Sequence, residues 1–239
     1  MSRHIRGRGV PEHRWRRWAL RTPIPRLRLP PVDRVLVVAP HPDDEVLPIG
    51  GLLRRLSRAG VPVTVLALTD GEAAYGPAHA GDLGPRRVEE SRRGLVRLLG
   101  PDVEVVRLGL PDGALDRHVP AIARAVAAHA APRQLYLTPH ERDGHPDHEA
   151  AARGTALGSR PGCRTIRYPV WLWHWCRPGR GGVDWARARV VRLADDERAG
   201  KAAAIAEHAS QLAAPAGHAP ILPPHVLERF LRDREVVFA

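Results

Sequence analysis

The sequence predicts an α/β fold, a Rossmann-like three-layer sandwich around a mainly parallel sheet with strands in the order 3-2-1-4-5. Three observations carry that expectation. From residue 33 onward, short β-branched runs alternate with longer stretches of helical periodicity, the pattern of repeated βαβ units. The first run, residues 35–39 (VLVVA), is apolar without alternation, as a strand covered by helices on both faces must be. Polar segments rich in His and Asp follow the first and fourth runs, at the strand ends where open α/β sheets take their ligands.

The elements then follow in order. Leu47, Leu52, Leu53 and Leu56 fall at helical spacing, so residues 46–59 read as the first helix. Residues 62–69 (PVTVLALT) read as strand two. Residues 71–85, rich in Gly, Ala and Pro, read as a long substrate-side loop. Helix two covers residues 86–99, strand three 103–108, helix three 120–130, strand four 134–138 and helix four 148–157. The apolar, aromatic segment 165–175 (TIRYPVWLWHW) reads as a strand running into a loop, with Trp171, Trp173 and Trp175 alternating onto one face. Residues 199–212 read as a helix, 223–232 as a short helix opened by proline, and 235–238 as a final edge strand.

A chain of 239 residues with 44% hydrophobic and 26% charged residues can bury one sizeable core without metal or disulfide staples. Cys163 and Cys176 allow at most one bridge, and neither lies in a Cys-x-x-Cys pair. No run reaches the roughly 18 apolar residues of a membrane helix, and the N-terminus lacks the apolar segment of a secretory signal, so a cytoplasmic protein is expected. The formal net charge is +11, of which residues 1–34 supply +8 through ten arginines set against Glu12 and Asp33. Residues 1–32 thus read as a basic N-terminal arm and 33–239 as one domain. The arm is read as a solvated or docked extension, with Trp15 and Trp18 packing on the body, rather than as a nucleic-acid arm. Peripheral contact with an anionic membrane is the other role open to it.

Chemistry concentrates in two segments. His41-Pro42-Asp43-Asp44-Glu45 falls where strand one meets its helix. One acid there is explained as a helix cap. A histidine and three consecutive acids are not, because like charges repel unless a cation is present. The second segment, His140-Glu141-Arg142-Asp143-Gly144-His145-Pro146-Asp147-His148, follows strand four. Strands one and four are neighbours in the expected order, so the two loops face each other across the switch point. Together they offer the nitrogen and oxygen ligands of a divalent metal, zinc first. No Gly-x-Gly-x-x-Gly follows strand one, which disfavours a dinucleotide site.

These two segments resemble those of the PIG-L/LmbE-like de-N-acetylases. Thr69-Asp70-Gly71-Glu72, Arg87-x-x-Glu90, Pro111-Asp112-Gly113-x-Leu115, Lys201-x-x-Ala204-x-x-x-His208-x-Ser210-Gln211 and Glu235-Val236-Val237-Phe238 extend the likeness over residues 33–239. The resemblance implies a zinc-dependent hydrolase that removes the acetyl group from an N-acetylated amino sugar or glycoconjugate. It implies His41, Asp44 and His148 as metal ligands and Asp43 as the general base for water. It further implies His145 as stabiliser of the oxyanion, with Asp147 orienting His145. Arg87, Asp143 and Glu72 are candidates for substrate contact, against a solvated helix face for Arg87, a loop-stabilising turn for Asp143 and an anchor of the glycine-rich loop for Glu72, while His208 and Gln211 recur in the family pattern without a role the sequence assigns. Competing readings are an amidase acting on another amide or thiol conjugate and a module binding anionic ligands or nucleic acid.

Overall fold

The computed structural model describes residues 7–180 and 182–239. Among these, seven strands form one sheet: β1 (Arg34–Ala39), β2 (Val63–Ala67), β3 (Glu104–Arg107), β4 (Gln134–Pro139), β5 (Arg164–Tyr168), β6 (Ala188–Arg192) and β7 (Arg234–Phe238). Their order is β3-β2-β1-β4-β5-β7-β6. The first five are parallel, in the expected order, and β7 runs antiparallel to both β5 and β6.

The unbroken apolar run of β1 works as a two-faced strand. Val35, Val37 and Ala39 pack into one cluster with Leu52, Leu53, Leu95 and Ile205, whereas Leu36 and Val38 pack into another with Ile122, Val126 and Ala150. The first cluster lies under α2 (Gly50–Arg58), α3 (Pro77–Leu99) and α7 (Asp195–Ala206), the second under α4 (Val119–Ala128) and α5 (Pro146–Gly158). Helices on both faces leave the strand ends as the exposed edge of the parallel sheet.

Several elements differ from expectation. The first helix starts at Gly50, because residues 42–49 form turns and the Glu235 carboxylate accepts the Gly51 and Leu52 N–H groups, capping the helix there. The loop expected over 71–85 is shorter, since α3 runs from Pro77 straight through Pro85. The missing donor of Pro85 is tolerated because Leu83, Gly84 and Arg87 are buried on either side of it. The helix expected over 199–212 is two, α7 and α8 (Ala209–Leu212), broken at His208. The one expected over 223–232 shrinks to α9 (Pro224–Leu227). The aromatic segment after β5 turns into α6 (Leu172–Trp175), so the three tryptophans do not share a face. Strand β6 escaped the sequence reading, and it displaces β7 from the edge. Its ARVVR has only a short apolar core and carries arginines, as edge strands often do.

The described part of the N-terminal segment packs on the body. Helix α1 (Glu12–Arg21) buries Trp15, whose indole N–H donates to the Trp173 carbonyl at 2.9 Å. Cys163 and Cys176 are both free. Among the described residues no helix is long and apolar enough to cross a membrane.

Candidate functional site

The loop after β1 supplies His41 to Glu45 and the loop after β4 supplies His140 to His148, and pairing of β1 with β4 sets them side by side. Three atoms converge between them. His41 Nδ1 lies 3.2 Å from His148 Nε2 and 3.3 Å from Asp44 Oδ2, and His148 Nε2 lies 3.2 Å from Asp44 Oδ2. Ligands about 2.0–2.1 Å from a tetrahedral zinc sit roughly 3.3 Å from one another, so this triangle matches one face of such a site.

The far atom of each imidazole is held in place. His148 Nδ1 meets Asp143 Oδ2 at 2.8 Å, and His41 Nε2 meets Asp112 Oδ1 at 3.1 Å and Asp147 Oδ2 at 3.2 Å. A carboxylate on one ring nitrogen fixes the tautomer that offers the other nitrogen to an ion. Two further groupings lie close enough to share an ion: His41 with His145 and His148, and His41 with Asp112 and Asp147. The triangle with Asp44 fits better, because Asp112 and Asp147 face the outer nitrogen of His41 rather than the inner one.

Burial by itself lowers the His148 imidazole, but Asp44 and Asp143 outweigh it and carry the group up to about 9. His41 is likewise opposed by burial and carried well above its ordinary value by Asp112, Asp147 and Asp44. Burial raises Asp44, and His148 and His41 more than reverse this, holding its carboxyl below the usual range. His145 goes the other way: burial, then the positive His148 and His41, push it down to about 2. The buried carboxylates that raise the His41 and His148 imidazoles would equally favour a cation at the same atoms, where an ion and protons compete.

Asp43 stands beside the triangle with φ of 130°, a backbone region otherwise occupied by glycine. Its N–H donates to Glu45 Oε2 at 3.1 Å, and Gln211 Nε2 donates to its Oδ2 at 2.7 Å and to the Pro42 carbonyl at 2.5 Å. Burial and the neighbouring Asp44 charge raise the Asp43 carboxyl well above the ordinary value. The triangle opens on a cleft of about 340 Å³. Polar side chains of His41, Asp43, Asp44, Arg87, Asp112 and His145 line one part, and Val170, Trp171, Ile221 and Leu222 line another.

Three candidates take different places from those expected. Asp143 is fully buried and accepts the N–H groups of Val170, Trp171 and Leu172 besides meeting His148, so it orients that imidazole and the start of α6. The Asp147 carboxylate binds His41 and the N–H groups of Gly113 and Leu115, not His145; His145 Nδ1 instead accepts the Asp147 backbone N–H. Glu72 Oε1 accepts the Asp112 N–H at 2.9 Å and anchors that turn outside the cleft lining. Arg87 does line the cleft, yet its guanidinium is directed at the Gly71 and Pro42 carbonyls, tying the two walls together. Asp112 and Gln211 are the contributors that sequence reasoning left without a role. Their only signals were an Asp-Gly turn and a recurring helix pattern.

Fold and site together define a class: Rossmann-like α/β proteins with a cluster of His and Asp side chains able to hold a metal at the sheet's switch point. Within that class the chain belongs to the PIG-L family, whose profile, described as GlcNAc-PI de-N-acetylase, matches residues 36–157. It is 31% identical over 126 residues to the diacetylchitobiose deacetylase of Thermococcus kodakarensis, covering 50% of this chain and 46% of that one. The chain thus spans about half the length of that relative. It is 26% identical over 200 residues to the 1D-myo-inositol 2-acetamido-2-deoxy-alpha-D-glucopyranoside deacetylase of Rhodococcus erythropolis, covering 69% and 68%. The solved pseudoaglycone deacetylase of an antimicrobial reagent superposes with a TM-score of 0.66 at 21% identity, over 87% of this chain and 97% of that chain, and shares the fold.

Proposed function

We propose that the chain is a zinc-dependent hydrolase that cleaves the acetamido bond of an N-acetylated amino sugar or glycoconjugate, releasing acetate and a free amine. The observation that carries this reading is the triangle of His41 Nδ1, Asp44 Oδ2 and His148 Nε2, with each imidazole oriented by a carboxylate behind it. Deacetylase activity in the two curated relatives named above supports the substrate class.

His41, Asp44 and His148 would hold the zinc, which when bound would supply Lewis acidity towards the acetyl carbonyl and a water molecule. The residues do the rest. Asp43, fixed by Gln211 and lining the cleft, takes the proton of the attacking water onto its carboxylate. His145 faces the same cleft, where its ring N–H stabilises the developing oxyanion, and the proton taken up by Asp43 passes on to the departing amine. The apolar wall of Val170, Trp171, Ile221 and Leu222 holds the part of the substrate away from the reacting bond.

The test couples metal analysis with acetate and amine release from a panel of N-acetylhexosamine compounds. Chelation should abolish turnover and zinc should restore it. Asp43→Asn should lower kcat by about two orders of magnitude while keeping the metal. Wild-type kcat in Asp43→Asn would overturn the base assignment, and release of a larger acid instead of acetate would move the activity to another amide.

A further inference from the structure

A second cleft, of about 700 Å³, opens between α1 and the β6–β7 end of the sheet, apart from the ion site. Its floor is aromatic: Trp15 packs edge-on against both Trp18 and Trp173. Its rim is cationic, with Arg16, Arg192, Arg198, Arg232 and Arg234. Arg198 pairs with Asp195 at 3.3 Å, but the acids beside the other four are shared. Glu12 binds both Arg16 and Arg232, at 3.1 and 2.6 Å, and Asp233 binds both Arg192 and Arg234, at 2.9 and 2.7 Å. One carboxylate for two guanidiniums leaves each pair with a net positive charge.

Two leucines stand on the same rim in water, Leu20 at 87% exposure and Leu231 at 47%. Helix α1 adds Arg14, Arg17 and Arg21 to its outer surface, while its one acid, Glu12, turns inward and is buried. Protruding apolar tips ringed by arginines are the complement of a negatively charged bilayer surface, where guanidinium groups meet phosphates and aliphatic tips enter the headgroup–acyl boundary. A nucleic acid would satisfy the arginines and leave the leucines in water.

We propose that this face docks on an anionic phospholipid bilayer, with Leu20 and Leu231 entering the interface and the arginine rim seated on lipid phosphates. The docking face is joined to the cleft of the triangle through α6. Trp15 donates to the Trp173 carbonyl in α6, and Trp171, immediately before α6, lines that cleft. The inference is independent of the hydrolase reading, because docking is measured with no substrate present.

The experiment is co-sedimentation of the full chain with vesicles of phosphatidylcholine alone or mixed with phosphatidylglycerol, at low and high salt. Binding is expected only to the mixed vesicles and should weaken with salt. Leu20→Glu with Leu231→Glu should reduce it at least about tenfold. Both leucines are exposed, and Arg17→Gln with Arg21→Gln provides a second variant, expected to weaken binding and flatten its salt dependence. Absence of binding to mixed vesicles overturns the proposal. So does binding unchanged by both variants, or duplex DNA binding that exceeds vesicle binding and ignores the leucine substitutions.

Discussion

Asp143 shows how much one side chain organises. It holds His148 by one ring nitrogen and gathers three successive backbone N–H groups at the entry to α6, fixing a candidate ligand and the loop beside the cleft at once. Asp143→Ala should therefore lower zinc affinity by about 10- to 100-fold, read by competition with a chromogenic chelator, since orienting partners of metal ligands typically have that weight. Affinity unchanged in that variant would contradict the orienting role. At this scale the meeting of two His/Asp segments was legible in the sequence, because a histidine crowded among acids calls for a cation, whereas the particular trio His41, Asp44 and His148 came from the family resemblance. The carboxylates behind that trio were not legible. Whether Asp143, Asp147 or Asp112 meets substrate or an imidazole depends on which ring nitrogen each faces, and Asp112 reaches His41 from a turn far along the chain.

Among the elements, order was more legible than extent. The parallel order of the first five strands followed from alternation and the switch-point logic, and it alone brought the two histidine loops together. Pro85 misled, since a local rule against proline in helices yielded to packing on both sides of it. Strand β6 was invisible because a short apolar core between arginines is also what a polar loop looks like. The antiparallel end of the sheet is tied to α2 and α7 by a buried ion pair: Lys201 Nζ lies 2.8 Å from Glu235 Oε1, and the same carboxylate caps α2. Glu235→Gln should destabilise the fold by about 3–5 kcal/mol in urea unfolding, because Lys201 then stays buried without a countercharge. Glu235→Gln combined with Lys201→Met should recover part of that loss.

For the molecule as a whole, the described part of the basic segment packs on the body, with Trp15 turned inward. Trp15 is 2% exposed and belongs to the same apolar cluster as the strands, and the Arg232 side chain lies 4.6 Å above the Trp173 ring beside it. Trp15→Ala should cost about 3–5 kcal/mol of stability, the range of a large aromatic removed from a packed core, as a shift in the urea midpoint. A midpoint unchanged by that substitution would make the segment a detachable appendage. Charge bias marked residues 1–34 in the sequence, but composition does not say which tryptophan faces inward; that follows from where α6 and β6 lie.

Lys201 is the chain's one lysine, and the fold seals it against Glu235 at 2% exposure. An acylating reagent selective for primary amines therefore finds, apart from the terminal amine, a single target that it meets only when the sheet opens. The pace of that modification becomes a clock for breathing of the core, readable by mass spectrometry on the unaltered protein.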